Sequence, residues 1–296
     1  MRGICRLCGA NADLVRSHII PKFVFSWIKE TSATGKLRPG DNPNKRIQDG
    51  PSFPLYCRKC EESFSTYENY FARNIFYPHM EGKFKEIVCS DELERFMVGL
   101  FWRILDYCSS DFVKLKPGCS IPHSNAHREW RDYLLGKTST HKSELHLSLL
   151  TDGTFTSIDE SKLLWYFHRG TDAEIYSSGP GEIIIYCKMP KMILFSSIFP
   201  SRPGDFLGTR VSKGSVIEKE SAIFNSGFVR FIRSRVDIIN QGEASAERKK
   251  VVLKSIRADP KRFRKSETMK YLSKEFERHA RGDKTHRPRR KQSKQE

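Results

Sequence analysis

Between residues 91 and 107 the apolar residues Leu93, Phe96, Met97, Leu100, Phe101, Ile104 and Leu105 recur at three- and four-residue steps. That spacing is one face of an α-helix. Asp91, with Glu94 three residues on, supplies an N-terminal cap. Arg103 and Asp106 flank this face and read as polar-face residues. A second helix is expected over 124–135, ending before Gly136. Trp102, Trp130 and Trp165 read as core.

From residue 143 the period changes to two. Leu145, Leu147 and Leu149 alternate with polar neighbours, and Glu182–Met189 and Lys191–Phe199 are apolar runs bounded by Gly and Pro. Three to five strands are expected over about 143–218, antiparallel because their links are short. Helical spacing returns at about 222–240 and 245–256. Upstream, residues 14–20 have strand character and stop at Pro21. Residues 22–30 place Phe23, Trp27 and Ile28 at helical or turn spacing, and 31–54 read as a loop. After Cys60, residues Phe64, Tyr67 and Phe71 mark a helix face. The expected class is α+β: a module over 1–80, an α+β body over 81–256 and a basic, largely disordered tail over 257–296. A weak helix at 266–280 and disorder over 281–296 are expected within that tail.

Charge changes the picture. The 296-residue chain carries a formal net charge of +17. Residues 241–296 alone hold 19 Lys/Arg against 8 Asp/Glu. Such an excess attracts polyanions, nucleic acid above all, although a solvated basic tail has the same composition. No apolar run of about 18 residues predicts a membrane span. A cysteine pair begins at residue 5, so no signal peptide is expected and the expected compartment is the cytoplasm.

The cysteines carry the first chemistry. Cys5/Cys8 and Cys57/Cys60 are two C-x-x-C pairs, while Cys89, Cys108, Cys119 and Cys187 are scattered. In a reducing compartment the pairs read as thiolate ligands closing one tetrahedral Zn²⁺ site, and the others as buried thiols. A closed four-cysteine site has no open position and is structural. His18 lies ten residues past the first pair, in Ser17-His18-Ile19-Ile20-Pro21. Among the remaining histidines only His123/His127 has an i, i+4 spacing, which fits either a metal pair or an ordinary surface pair.

These pieces together resemble the HNH, or ββα-metal, endonuclease superfamily of the zinc-knuckle type. The resemblance rests on Cys5/Cys8, His18-Ile19-Ile20-Pro21 and Cys57/Cys60, and covers about residues 1–75. It implies that His18 is the general base that activates water against a phosphodiester. It also implies a second divalent ion, Mg²⁺ or Mn²⁺, acting as Lewis acid. The implied substrate is DNA rather than RNA, and the implied setting is prokaryotic defence or a mobile element. Three positions depart from the pattern. Ser17 stands where the family carries an acidic or His ligand. Glu61 stands where it carries His or Asn. The middle Asn has no firm match, with Asn42 and Asn44 in the right interval.

The helix after Cys60 adds its own clue. Glu61, Phe64, Glu68 and Phe71 fall on one face, so both carboxylates are expected on the buried side, with Glu62 toward solvent. A buried carboxylate needs a partner or a metal. Glu61 and Glu68 therefore either help hold the catalytic ion, or cap backbone amides or pair with Arg16, Arg46 or Arg73. The sequence supports a metal-dependent nuclease, a zinc-containing nucleic-acid-binding protein without activity or, third, a protein-interaction adaptor whose partner carries the activity. A protein partner or a homodimer is compatible with the first two.

Overall fold

The computed structural model describes residues 1–83, 86–150, 166–217, 221–240 and 242–280. The expected core residue Trp165, the expected disorder over 281–296 and part of the expected strand region lie outside them.

Three strands open the chain: β1 (Arg2–Ile4), β2 (Asn11–His18) and β3 (Ser52–Cys57), antiparallel in the order β1-β2-β3. The strand expected over 14–20 ends at His18; Ile19 and Ile20 form a bend, and Pro21 caps α1 (Lys22–Glu30). Helix α2 (Arg58–Phe71) follows β3 with no intervening loop and continues through a π-helical turn (Ala72–Phe76) into α3 (Tyr77–Met80). Strands β2 and β3 with α2 form a ββα unit. Strand β4 (Ile87–Val88) precedes α4 (Asp91–Leu115), and α5 is Ser120–Leu134.

Helix α4 is the structural axis. All seven apolar positions that predicted it are buried. Its cap is Ser90, one residue before the expected Asp91. Ser90 Oγ accepts from the Leu93 amide, and Asp91 and Glu94 sit in the first turn, where negative charge favours the helix N-terminus. The helix runs past 107 because Phe112, seven residues after Leu105, stays on the buried face. Helix α2 packs closely against it. A methyl group added at Gly99 would lie 3.2 Å from the Phe64 ring, and Phe71 stacks on Phe96 at 4.0 Å between centroids.

The body is an antiparallel sheet of β5 (Glu144–Leu149), β6 (Asp172–Gly179), β7 (Glu182–Met189), β8 (Met192–Ser197) and β10 (Arg210–Val211), in the order β10-β5-β8-β7-β6. Short pairs join β11 (Val216–Ile217) to β4, and β12 (Ala222–Ile223) to β9 (Phe206–Leu207). One buried cluster runs from Cys5 to Ile217, so the N-terminal module and the sheet share a core across residue 80. A second cluster covers the other sheet face, where Phe228, Ile232 and Val236 of α6 (Ser226–Asn240) pack.

Three helices follow: α7 (Ala246–Ala258), α8 (Pro260–Lys265) and α9 (Glu267–Ala280). The segment expected to be largely disordered from 257 is thus helical over 260–280. Its anchor is polar: Arg262 donates to the carbonyls of Ser32 and Lys29 at 3.1 and 2.9 Å, bonding the C-terminal end of α1 and a residue just past it. Arg169 does the same from the sheet side, donating to the Ile28 carbonyl at 2.7 Å. The fold is α+β. Among the described residues no helix is long and apolar enough to cross a membrane.

Candidate functional site

The four cysteines meet. Pairing of Leu14 with Cys57 across β2 and β3 brings the second knuckle, at the β3–α2 junction, onto the first. The first knuckle is a tight turn: the Gly9 amide donates to the Cys5 carbonyl at 2.8 Å, and the Cys5 amide to the Ala10 carbonyl at 2.9 Å. Gly9 takes φ +80°, which a side chain would strain. The four sulfurs lie within 4.8 Å of one another. Cys8 Sγ and Cys57 Sγ are 3.8 Å apart. A tetrahedron with Zn–S bonds of 2.3 Å has an edge of about 3.8 Å, so the donor set and spacing fit zinc. Burial raises the thiol of Cys60. Cys5 is also buried, yet the amides of Cys8 and Cys57 pull its thiol down to about 7.

Ten residues along, His18 ends β2, paired with Ser52 of β3. It lines a cleft of about 560 Å³ together with Arg16, Lys22, Asp49, Ser52, Glu61, Ser65 and Glu68. All three residues proposed around the reaction, His18, Glu61 and Glu68, therefore share one cavity. The ββα geometry is the cause. His18 lies at the far end of β2 from the knuckles, and α2 crosses the hairpin with Glu61 and Glu68 on its inner face. Glu62 is exposed, as the periodicity requires.

Asp49 is the residue the sequence did not single out. Its Oδ2 lies 3.2 Å from His18 Nε2. The Gly50 amide donates to Asp49 Oδ1 at 2.9 Å and fixes the carboxylate. Gly50 itself is pressed on Phe25: an added Cβ would lie 2.1 Å from the ring. The loop tip Asn42/Asn44, offered as the middle Asn, is elsewhere. Asn42 Oδ1 accepts from the Asn44 amide, and Asn44 bonds the segment before α7. A signal for Asp49 was present: it precedes Gly50-Pro51, three positions before the partner of His18.

Arg103 overturns its assignment to a polar face. Its side chain is 1% exposed. Nη1 donates to the His18 carbonyl at 2.9 Å, Nη2 lies 2.6 Å from Glu68 Oε1, and the guanidinium sits 4.8 Å from the Phe64 ring centroid. The helical period contained this result, because Arg103 falls seven residues after Phe96 and three after Leu100, on the buried face. Glu68 is thus paired with Arg103, not with the arginines considered from sequence. Arg16 instead donates to the Ser52 carbonyl and hydroxyl at 2.7 and 2.9 Å.

Glu61 is left differently. Oε2 is buried without a hydrogen-bond partner, as is Ser17 Oγ. Burial raises the Glu61 carboxyl above its ordinary value, against the lowering influence of the Ser17 hydroxyl and the Arg103 charge. Ser17 faces Glu61 closely enough to favour its charge, outside hydrogen-bond geometry. Two orphaned buried oxygens and nearby carboxylates are oxygen donors of the kind a hard cation takes. Among the described residues, however, the four cysteines are the only group of three or more ligands close enough to hold one ion.

His123 and His127 are not the surface pair the spacing suggests, because His123 is buried. Its Nε2 lies 3.0 Å from Ser109 Oγ, and His127 stacks on Trp102 near Asp106. Asp106, expected on the polar face, is instead mostly buried between His127 and Arg6. No protein-family model, curated protein or solved structure matches the chain.

Proposed function

We propose that this protein is a metal-dependent nuclease of the HNH type that hydrolyses phosphodiester bonds, in DNA rather than RNA. The observation that carries the reading is His18: it ends a strand of a ββα scaffold whose other end holds a zinc-fitting knuckle, and it faces a cleft with two carboxylates on its α2 wall. His18 Nε2 is buried against Asp49, so Nδ1 is the nitrogen left to take a proton from water. Asp49 orients the ring and stabilises the imidazolium that forms. Arg16 and Lys22 stand at the cleft rim, where they attract the phosphate and position it.

A bound Mg²⁺ or Mn²⁺ would stabilise charge on the phosphate and leaving oxygen. Glu61, with Ser17 beside it, and Glu68 are the residues that would hold it. Glu68 is already neutralised by Arg103, so Glu61 carries more of that role. The biological setting implied by the resemblance is prokaryotic defence or a mobile element.

Among the described residues no group of three ligands in the cleft lies close enough to hold one ion, and that favours a second reading, a zinc-containing nucleic-acid-binding protein that does not cleave. Incubating purified protein with supercoiled plasmid, and separately with single-stranded RNA, under Mg²⁺ or Mn²⁺ separates the two. Nicking of the plasmid supports the nuclease. Salt-sensitive binding with no cleavage under either ion supports the second reading.

A further inference from the structure

Outside the cleft, one cluster of charges lacks its counter-charge. Leu37 and Ile47 form an isolated antiparallel bridge, the Ile47 amide donating to the Leu37 carbonyl at 3.2 Å. The next positions inward, Arg38 and Arg46, therefore face each other across the two arms of the loop. Arg248, in the first turn of α7, arrives from the other side. Its guanidinium donates to the Asn44 carbonyl. Asn44 in turn donates to the Glu243 carbonyl at 3.0 Å and accepts from the Ser245 amide at 2.8 Å. The loop tip and the start of α7 are locked together, and three arginines converge.

Among the described residues nothing supplies their counter-charge. Arg38 Nε is buried without a hydrogen-bond partner. Burial, then the like charges of Arg248 and Arg46, lower the Arg38 guanidinium below its ordinary value, with no carboxylate opposing them. Among the described residues no Asp or Glu forms an ion pair with any of the three. Like charges held together at a cost, around an orphaned buried donor, mark a place made for an anion. Guanidinium forks match a phosphate in geometry as well as charge.

We infer that Arg38, Arg46 and Arg248 bind a backbone phosphate of the nucleic-acid strand that runs through the His18 cleft. The choice of polymer rests on the nuclease reading; the anion site does not. Arg46 and Asp49 are three residues apart in one chain, so their Cα atoms are separated by at most about 11 Å. That distance spans about three nucleotides of one strand at 3.4 Å each. One strand can thus engage the cleft and the arginines together. The contact adds affinity and fixes the strand's direction without reading bases.

The test uses the full chain carrying His18→Ala, which separates binding from cleavage, and a 20-base-pair duplex followed by fluorescence anisotropy across a KCl series. Arg46→Glu should weaken binding about tenfold or more at low salt and reduce the slope of log K against log[KCl] by about one. Its melting temperature should hold or rise, because the new carboxylate gives Arg38 the partner it lacks. Arg38→Gln should reproduce the loss of slope. Unchanged slopes in both variants overturn the inference, as does a chain that binds no duplex at all. Weaker binding accompanied by a lower melting temperature also contradicts it, since that makes the arginines supports of the loop. A wild-type protein that binds with the expected slope yet cleaves nothing removes the nuclease reading and leaves the phosphate site standing.

Discussion

One side chain ties the two halves of the cleft: Arg103 donates from Nη1 to the His18 carbonyl, while its Nη2 lies 2.6 Å from Glu68 Oε1. A buried guanidinium is tolerated only when its charge and donors are matched. Here Glu68 supplies the charge, and the His18 and Gly99 carbonyls take the remaining hydrogen bonds. The axis helix thereby fixes both the strand end that carries the imidazole and the helix that carries the carboxylates.

Arg103→Met should therefore destabilise the fold by about 2–3 kcal/mol, because half-buried Glu68 loses its partner and the His18 and Gly99 carbonyls lose their donor. Arg103→Met combined with Glu68→Gln should recover part of that loss. Urea unfolding of the single and double variants measures the coupling, and additive losses would deny it.

Zinc should be present at one equivalent per chain. Cys60→Ser, or removal of the metal by a chelator, should lower the melting temperature by on the order of 10 °C, since the knuckles hold β2, β3 and α2 in register. Metal analysis paired with calorimetry tests this. A chain that melts unchanged without metal would contradict the site.

Acid sensitivity should trace to His146. Burial holds its imidazole pKa down, to about 4, even with Glu144 nearby. The unfolded chain therefore binds the extra proton between about pH 6.5 and 4. Stability rises with pH across that window and is lost as pH falls through it, by about 3 kcal/mol in all. His146→Gln should flatten the profile of unfolding free energy over that range. A wild-type profile already flat there would contradict the assignment.

Gly50→Ala should move Asp49 without touching it, because the added methyl meets the Phe25 ring. Overpacking of this kind costs about 1–3 kcal/mol. Cleavage should fall by about ten- to a hundredfold, as when a residue orienting a working imidazole is lost. Asp49→Asn should cause a similar fall with stability nearly unchanged. Both are read from initial rates of plasmid nicking alongside melting curves.

Much of this architecture is legible from spacing alone. Leu93 to Leu105 define α4, and two C-x-x-C pairs define the knuckles, whereas the ββα unit is implied only by the family resemblance, because β3 begins inside a stretch that reads as loop. Phe64 and Phe71 place Glu61 and Glu68 on the inner face. What spacing does not reveal is pairing between distant segments. Asp49 meets His18 only because Ser52 registers opposite it, and Arg262 orders α8 only because the end of α1 presents its carbonyls there. Arg103 is the instructive middle case. Its phase put it in the core, but an arginine there is credible only once Glu68 and the His18 carbonyl are known to face it.

The account depends most on the imidazole, and plasmid nicking by His18→Ala beside wild type, with zinc content and circular dichroism measured on the same samples, tests it directly. Nicking by wild type under Mg²⁺ or Mn²⁺ should fall at least about a hundredfold in the variant, while bound zinc and folded structure stay unchanged. Equal nicking by the two proteins would contradict the assignment of His18 as the base.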